Sequence, residues 1–290
     1  MKLKTGLVLM LLLSCARAVL SAGEEFLLLD RSGGGMNLQG LLGTVFKQEN
    51  TAWPQDLSIS LKALKDFPEL PVNDSWAMVS ESFLDFDKEK FEQFDYALLP
   101  LIVAVPSDSP LDSVTAAELK AIFNGRINRM EKLGHAGGAI RIAGMRPDSP
   151  AGRAFRALIM QQDLSEAANG RIAAGSDILP DMILCNTPEA AKAILLALPA
   201  PIVFGSWALA EKCADSAKIL KVDGVLPTKE NIVSGRYKFA VKHSLLVRKG
   251  RPKAENLDRI LYFLRRLTAA SGDFLPLNDK KMEKNEPKSL

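Results

Sequence analysis

The apolar residues change their period along the chain, and each change marks an element. EEFLLLD (24–30) is a short apolar run that reads as a strand, and SGGGM (32–36) is a turn. NLQGLLGTVFKQ then places Leu38, Leu41, Leu42, Val45 and Phe46 at helical spacing. The first unit is therefore strand, glycine-rich loop, helix. DLSISLKAL reads as a second strand leading into a helix, and DSWAMVSES (74–82) as a short strand and loop. FDYALLPLIVAVP (94–106) is the longest strand candidate, closed by a turn from Pro106 to Pro110.

SVTAAELKAIFNGRI (113–127) predicts a helix. Thr115 and Glu118 form a capping box, and Leu119, Ile122 and Phe123 make the apolar stripe. AIRIAGM (139–145) is a strand that leads into a helix bearing Phe155, Leu158 and Ile159. NTPEAAKAILLAL (186–198) is a helix with Thr187 as N-cap and Pro188 at its first position. PIVFGSW (201–207) and YKFAVKHSLLV (237–247) are strands, and ENLDRILYFLRRLTAASG (255–272) is the last helix. The charged tail, 279–290, is expected to be disordered. Strands alternating with helices imply an α/β fold with mixed, largely parallel sheets.

The N-terminus changes the picture. Lys2 and Lys4 precede an apolar run from Gly6 to Leu13 and then small residues, the layout of a secretory signal peptide covering 1–22. The run is shorter than the roughly 20 apolar residues that span a bilayer. Cleavage is expected after Ala18 or Ala22; the alternative is a lipobox ending at Cys15, which would leave a membrane-anchored lipoprotein. The whole chain has 37 basic and 34 acidic residues, and the signal segment removes Lys2, Lys4 and Arg17. The remainder is balanced, so net charge gives no argument for nucleic acid.

Cys185 and Cys213 remain after export, and either a disulfide between them or two buried free thiols is compatible with the sequence. The histidines, His135 and His243, are not at metal-ligand spacing from a cysteine. GHAGGA (134–139) lacks the P-loop lysine, and GSW (205–207) is not a nucleophile elbow. No catalytic residue, metal or cofactor is therefore expected.

GMRPDSPAGRAF (144–155) is the chain's most suggestive junction. A strand-to-helix loop leaves the first N–H groups of the helix at positive potential. Gly152 would let a ligand approach the backbone, Ser149 adds a hydroxyl, and Arg146 or Arg153 adds a forked cation suited to an oxyanion. The competing reading is an ordinary N-cap by Asp148 or Ser149 with both arginines solvated. SGGGM could supply the other half of a site, or be a flexible turn.

Read together, these segments resemble the periplasmic phosphate-binding proteins of bacterial ABC importers. PSDSPLDSVTAAELKAIFNGRINRMEKLG resembles that family's LTxxxLxxIFxG stretch. IRIAGMRPDSPAGRAF falls where the family carries R-x-x-G-S-G-T-R, and NTPEAAKAILLALPAPIVFGSW resembles its T-P-G-x-I-G-Y region. VDGVLPTKENIVSGRYKF resembles its DGVxPTxxNVxxGxYP stretch. The resemblance covers most of residues 26–270.

It implies a two-lobe, type II periplasmic-binding-protein-like fold with a central cleft. Lobe 1 would span 23–102 plus 219–278, and lobe 2 would span 103–218. It implies a monomeric, exported solute-binding protein that takes phosphate or a similar small anion to an ABC permease. The implied ligand residues are Ser32, Gly35 and Met36 from the first loop, Asp74 or Ser75 before the next strand, and Arg146, Ser149, Ala151, Gly152 and Arg153 from the junction. The pocket diverges from the family. Its S-G-T falls on Pro150, Ala151 and Gly152, its acidic acceptor falls on Ser75 beside Asp74, and an arginine falls on Glu81. The alternative is therefore a degenerate member acting as a periplasmic sensor, adaptor or structural protein.

Overall fold

The computed structural model of the chain describes residues 24–30, 57–63, 76–82, 84–164, 181–250 and 254–277. Ser32, Gly35, Met36, Asp74 and Ser75 lie outside these residues, as do the N-terminal segment through residue 23, the expected first helix and the tail.

Strands β1 (Glu24–Asp30), β2 (Leu57–Ala63), β3 (Trp76–Glu81) and β4 (Phe91–Pro100) come first. β5 (Ile102–Pro106), β6 (Ser113–Val114), helix α1 (Ala116–Phe123), β7 (Arg141–Met145) and α2 (Pro150–Leu158) follow. Then come β8 (Ile183–Cys185), α3 (Pro188–Ala197), β9 (Pro201–Gly205), α4 (Trp207–Cys213), β10 (Ala217–Ile219) and β11 (Lys221–Val222). The chain ends with α5 (Lys229–Val233), β12 (Ala240–Arg248), α6 (Ala254–Ser271) and β13 (Leu275–Pro276).

Two main sheets result. One has the order β13-β4-β12-β3-β1-β2 and the other β10-β5-β9-β7-β8, while β6 and β11 form a small ribbon. In each main sheet one half is parallel, β2-β1-β3 and β9-β7-β8, and in the second sheet α2 follows β7 and α3 follows β8 before the chain returns to it. The other half is antiparallel and is built by the strands that pass between the sheets and their partners.

The apolar run at 94–106 is not one strand. It divides at Leu101, with β4 in the first sheet and β5 in the second. Every residue from Tyr96 to Val105 is buried, so hydrophobicity alone does not mark the division. The change of sheet is fixed by hydrogen bonds: Leu101 donates its N–H to Phe239 O (2.8 Å) and accepts the Tyr237 hydroxyl (2.6 Å). The chain returns beside this point through Phe239 and Ala240 into β12.

The helices keep their sequence signals. Thr115 caps α1 with the full capping box, and Thr187 caps α3 ahead of Pro188. α1 is shorter than its 113–127 pattern, because Ser113 and Val114 pair with Lys221 and Val222 and Asn124 closes the helix. Phe123, Phe155 and Phe204 form the aromatic centre of the second sheet's core, with Phe155 stacked on Phe204 at 4.0 Å. Leu220, Val222, Ile232, Tyr237 and Phe239 belong to that same cluster. Cys185 and Cys213 are both buried free thiols, so the disulfide is not formed, and burial raises the pKa of each.

Candidate ligand-binding cleft

The junction between β7 and α2 is built around one carbonyl. Arg146 O accepts the Ser149 N–H (3.0 Å) and the Ser149 hydroxyl (2.6 Å). Ser149 Oγ in turn accepts the Gly152 N–H at 3.1 Å, and Ser149 O accepts the Arg153 N–H at 2.9 Å. Ser149 is therefore the N-cap of α2, with Pro150 at the first helical position and no N–H of its own to give. The hydroxyl expected to meet a ligand is already used twice.

Gly152 has a different role from the one the sequence suggests. A Cβ there would lie 1.9 Å from Arg146 O and 2.7 Å from its carbonyl carbon. The space beside Gly152 is filled by the turn itself, not left open for a ligand. Gly152→Ala is therefore expected to force the cap apart and destabilise the chain by at least about 2 kcal/mol. A urea melt checks this, and a loss within a few tenths of a kcal/mol of wild type would contradict the packing described.

The two arginines of the junction part company. Arg146 points outward, with Nε 3.1 Å from Asp148 Oδ1 in an ion pair that is more than half exposed on both sides. Such a pair is weak in water and easily exchanged for another anion. Arg153 is neither solvated nor facing open space. Its side chain is 6% exposed, and its Nε (3.0 Å) and Nη2 (2.6 Å) both donate to Oε2 of Glu81, which is 1% exposed. Ala151 is buried in the first turn of α2.

Glu81 ends β3 and pairs across the sheet with His243 of β12. His243 Nε2 lies 4.0 Å from Glu81 Oε1, and among the described residues neither imidazole nitrogen has a hydrogen-bond partner. The ring packs edge-on against Phe274 at 4.9 Å. Burial first, and then the Arg153 charge, push the His243 pKa down to about 3. His243 is thus neutral, and Arg153 is the charged partner that faces Glu81. Next to Phe274, Asp273 beyond α6 accepts the hydroxyl of Ser206, the N-cap residue of α4. Burial raises the Asp273 pKa, against the lowering effect of that hydrogen bond.

The junction therefore contributes one accessible cation, Arg146, and a first helical turn largely satisfied by its own cap. Sequence reading missed the Glu81–Arg153 pair. Its signal was present: an acid at the end of an apolar strand, WAMVSE, and an arginine within the apolar spacing of α2.

Comparison with known proteins bears on what such a fold is. A family model described as "PBP superfamily domain" matches residues 77–263. The chain belongs to the PBP superfamily. Within curated proteins it is similar to "Phosphate-binding protein PstS" of Bacillus subtilis (strain 168), with 28% identity over 159 residues. That match covers 54% of this chain and 48% of the relative, so it spans about half the length of that protein. Among the solved structures similar in fold, two illustrate the likeness. One is PstS from Borrelia burgdorferi, at TM-score 0.61 and 15% identity, covering 88% of this chain and 99% of that one. The other is an ABC-type phosphate transport receptor from Vibrio cholerae, at TM-score 0.62 and 14% identity, covering 86% and 99%. These likenesses establish the mixed α/β, two-lobe, type II fold of a PBP superfamily member.

Proposed function

We propose that this chain is an exported solute-binding protein that takes phosphate or a related small oxyanion and presents it to an ABC permease. The observation that carries the reading is Arg146. Its guanidinium is exposed where β7 hands over to α2, and its partner Asp148 is exposed as well. An oxyanion could replace Asp148 on that fork with little loss. Ser32, Gly35, Met36, Asp74 and Ser75 would complete the pocket from the first lobe, with Asp74 accepting a hydrogen bond from a protonated phosphate oxygen. In this reading no bond is made or broken, the chain works as a monomer, and it resides in the periplasm, free or held by a lipid at Cys15.

Each main sheet with its helices is taken as one lobe. The lobes would be 23–102 with 219–278, and 103–218; the packing of Leu220, Val222, Ile232, Tyr237 and Phe239 in the second sheet's core supports a return passage nearer 239. The cleft would then lie between the sheets, at the ends of β3 and β7.

A second reading is favoured by the cap of α2. Ser149 Oγ and the Gly152 N–H already satisfy each other, and Pro150 lacks a donor. A member with this turn could have given up tight anion binding for a sensing, adaptor or structural role.

Calorimetric titration of the mature, ligand-freed chain with phosphate, sulfate, molybdate and a carboxylate separates the readings. Tight binding of one oxyanion is expected, with Arg146→Ala weakening it by about ten- to a hundredfold. Unchanged affinity in Arg146→Ala would overturn the role of that residue. Silence across the panel from a folded sample would favour the second reading.

A further inference from the structure

We propose that the Glu81–Arg153 pair, with Ser206–Asp273 as its counterpart, is a clamp that holds the two lobes together whether or not a ligand is present. The inference does not depend on the oxyanion reading. Glu81 belongs to β3 of the first sheet, and Arg153 belongs to α2, which packs on the second. Their hydrogen bonds of 3.0 and 2.6 Å therefore run from one lobe to the other. Ser206 begins α4 of the second lobe, and Asp273 follows α6 of the first, so the second tie also crosses.

Apolar packing crosses at the same place. Ala154 of α2 belongs to the first sheet's cluster, and Leu158 packs against the clusters of both sheets. Opening the lobes would expose this surface and separate a guanidinium from a carboxylate that are both buried. Water would solvate the freed charges, but the closed state keeps both the pair and the apolar contact. A binding protein that closes by hinge motion ordinarily relies on its ligand to bridge the lobes. Here residues of the chain supply the bridge, with Glu81 as the anion on Arg153.

Pulsed electron paramagnetic resonance on the mature chain tests this. Nitroxide labels at Glu89→Cys and Asp215→Cys report on the two lobes, and both positions are exposed. Cys185 and Cys213 are buried with raised thiol pKa values and should resist labelling. One narrow distance is expected without ligand, unchanged when inorganic phosphate is added. Glu81→Ala takes from Arg153 the carboxylate of the first lobe and should raise the open-to-closed ratio by about a hundredfold or more, seen as a longer population. Asp273→Ala removes the second tie at a position outside the sheets and should lengthen the distribution too. It carries the test should Glu81→Ala fail to fold. Two populations in the unliganded wild type, or a shift on adding phosphate, would overturn the proposal. So would an unchanged narrow distance in the folded variants.

Discussion

Arg153→Ala is expected to destabilise the folded chain by about 3–5 kcal/mol, lowering the melting temperature by roughly 10 °C. The loss has two sources. The Glu81 carboxylate, 1% exposed, would keep its desolvation without the two short bonds that offset it. The volume of the guanidinium and its stem would also be left partly empty between β3 and α2. The double variant Glu81→Met with Arg153→Met separates these effects. It removes both charges and keeps apolar bulk, so it should lie within about 1–2 kcal/mol of wild type. Urea unfolding of the three proteins side by side makes the comparison. A single variant as stable as wild type, or a double variant worse than either single one, would contradict the buried-pair account.

Acid should weaken the fold through His243, by about 3 kcal/mol between pH 7 and pH 4. The sign follows from where the proton binds. In the unfolded chain the imidazole takes a proton below its ordinary value of 6.5, whereas in the folded chain it does so only near 3. Stability from this residue is complete above 6.5 and is lost as pH falls towards 3. The cause is a ring held among Phe274, Tyr96 and β3 with the Arg153 charge nearby. Asp273 acts in the opposite direction: its raised pKa means that the folded state takes up its proton first as pH falls. His243→Leu isolates the first effect. Its stability should change with pH less steeply than wild type by up to about 1.4 kcal/mol per pH unit in this window. Parallel curves for the two proteins would show that His243 is not the acid-sensitive group.

Much of the fold was legible because its signals are local. Thr115 with Glu118, Thr187 with Pro188, and the apolar stripe of α1 all act within one turn of helix, and all appear where the pattern places them. The strand at 94–106 was misjudged as one element because Leu101 is as apolar as its neighbours; the change of sheet depends on Tyr237 and Phe239, far along the chain. The site was less legible for the same reason. Ser149 and Gly152 have the residue types of an anion loop, yet the geometry that commits them to Arg146 O is a matter of ångströms. Arg153 looks like a solvated or ligand-binding cation until Glu81, 72 positions earlier, is brought against it.

The passage at Leu101 has a mechanical consequence. A single residue separates β4 from β5, and the returning strand is pinned to it by the Tyr237 hydroxyl and the Phe239 carbonyl. A joint of that kind has almost no slack. It has the build of a short axle rather than a cord: with the Glu81–Arg153 clamp broken, the lobes would turn about it rather than drift apart along it. Small rotations there would become large displacements at the far rims.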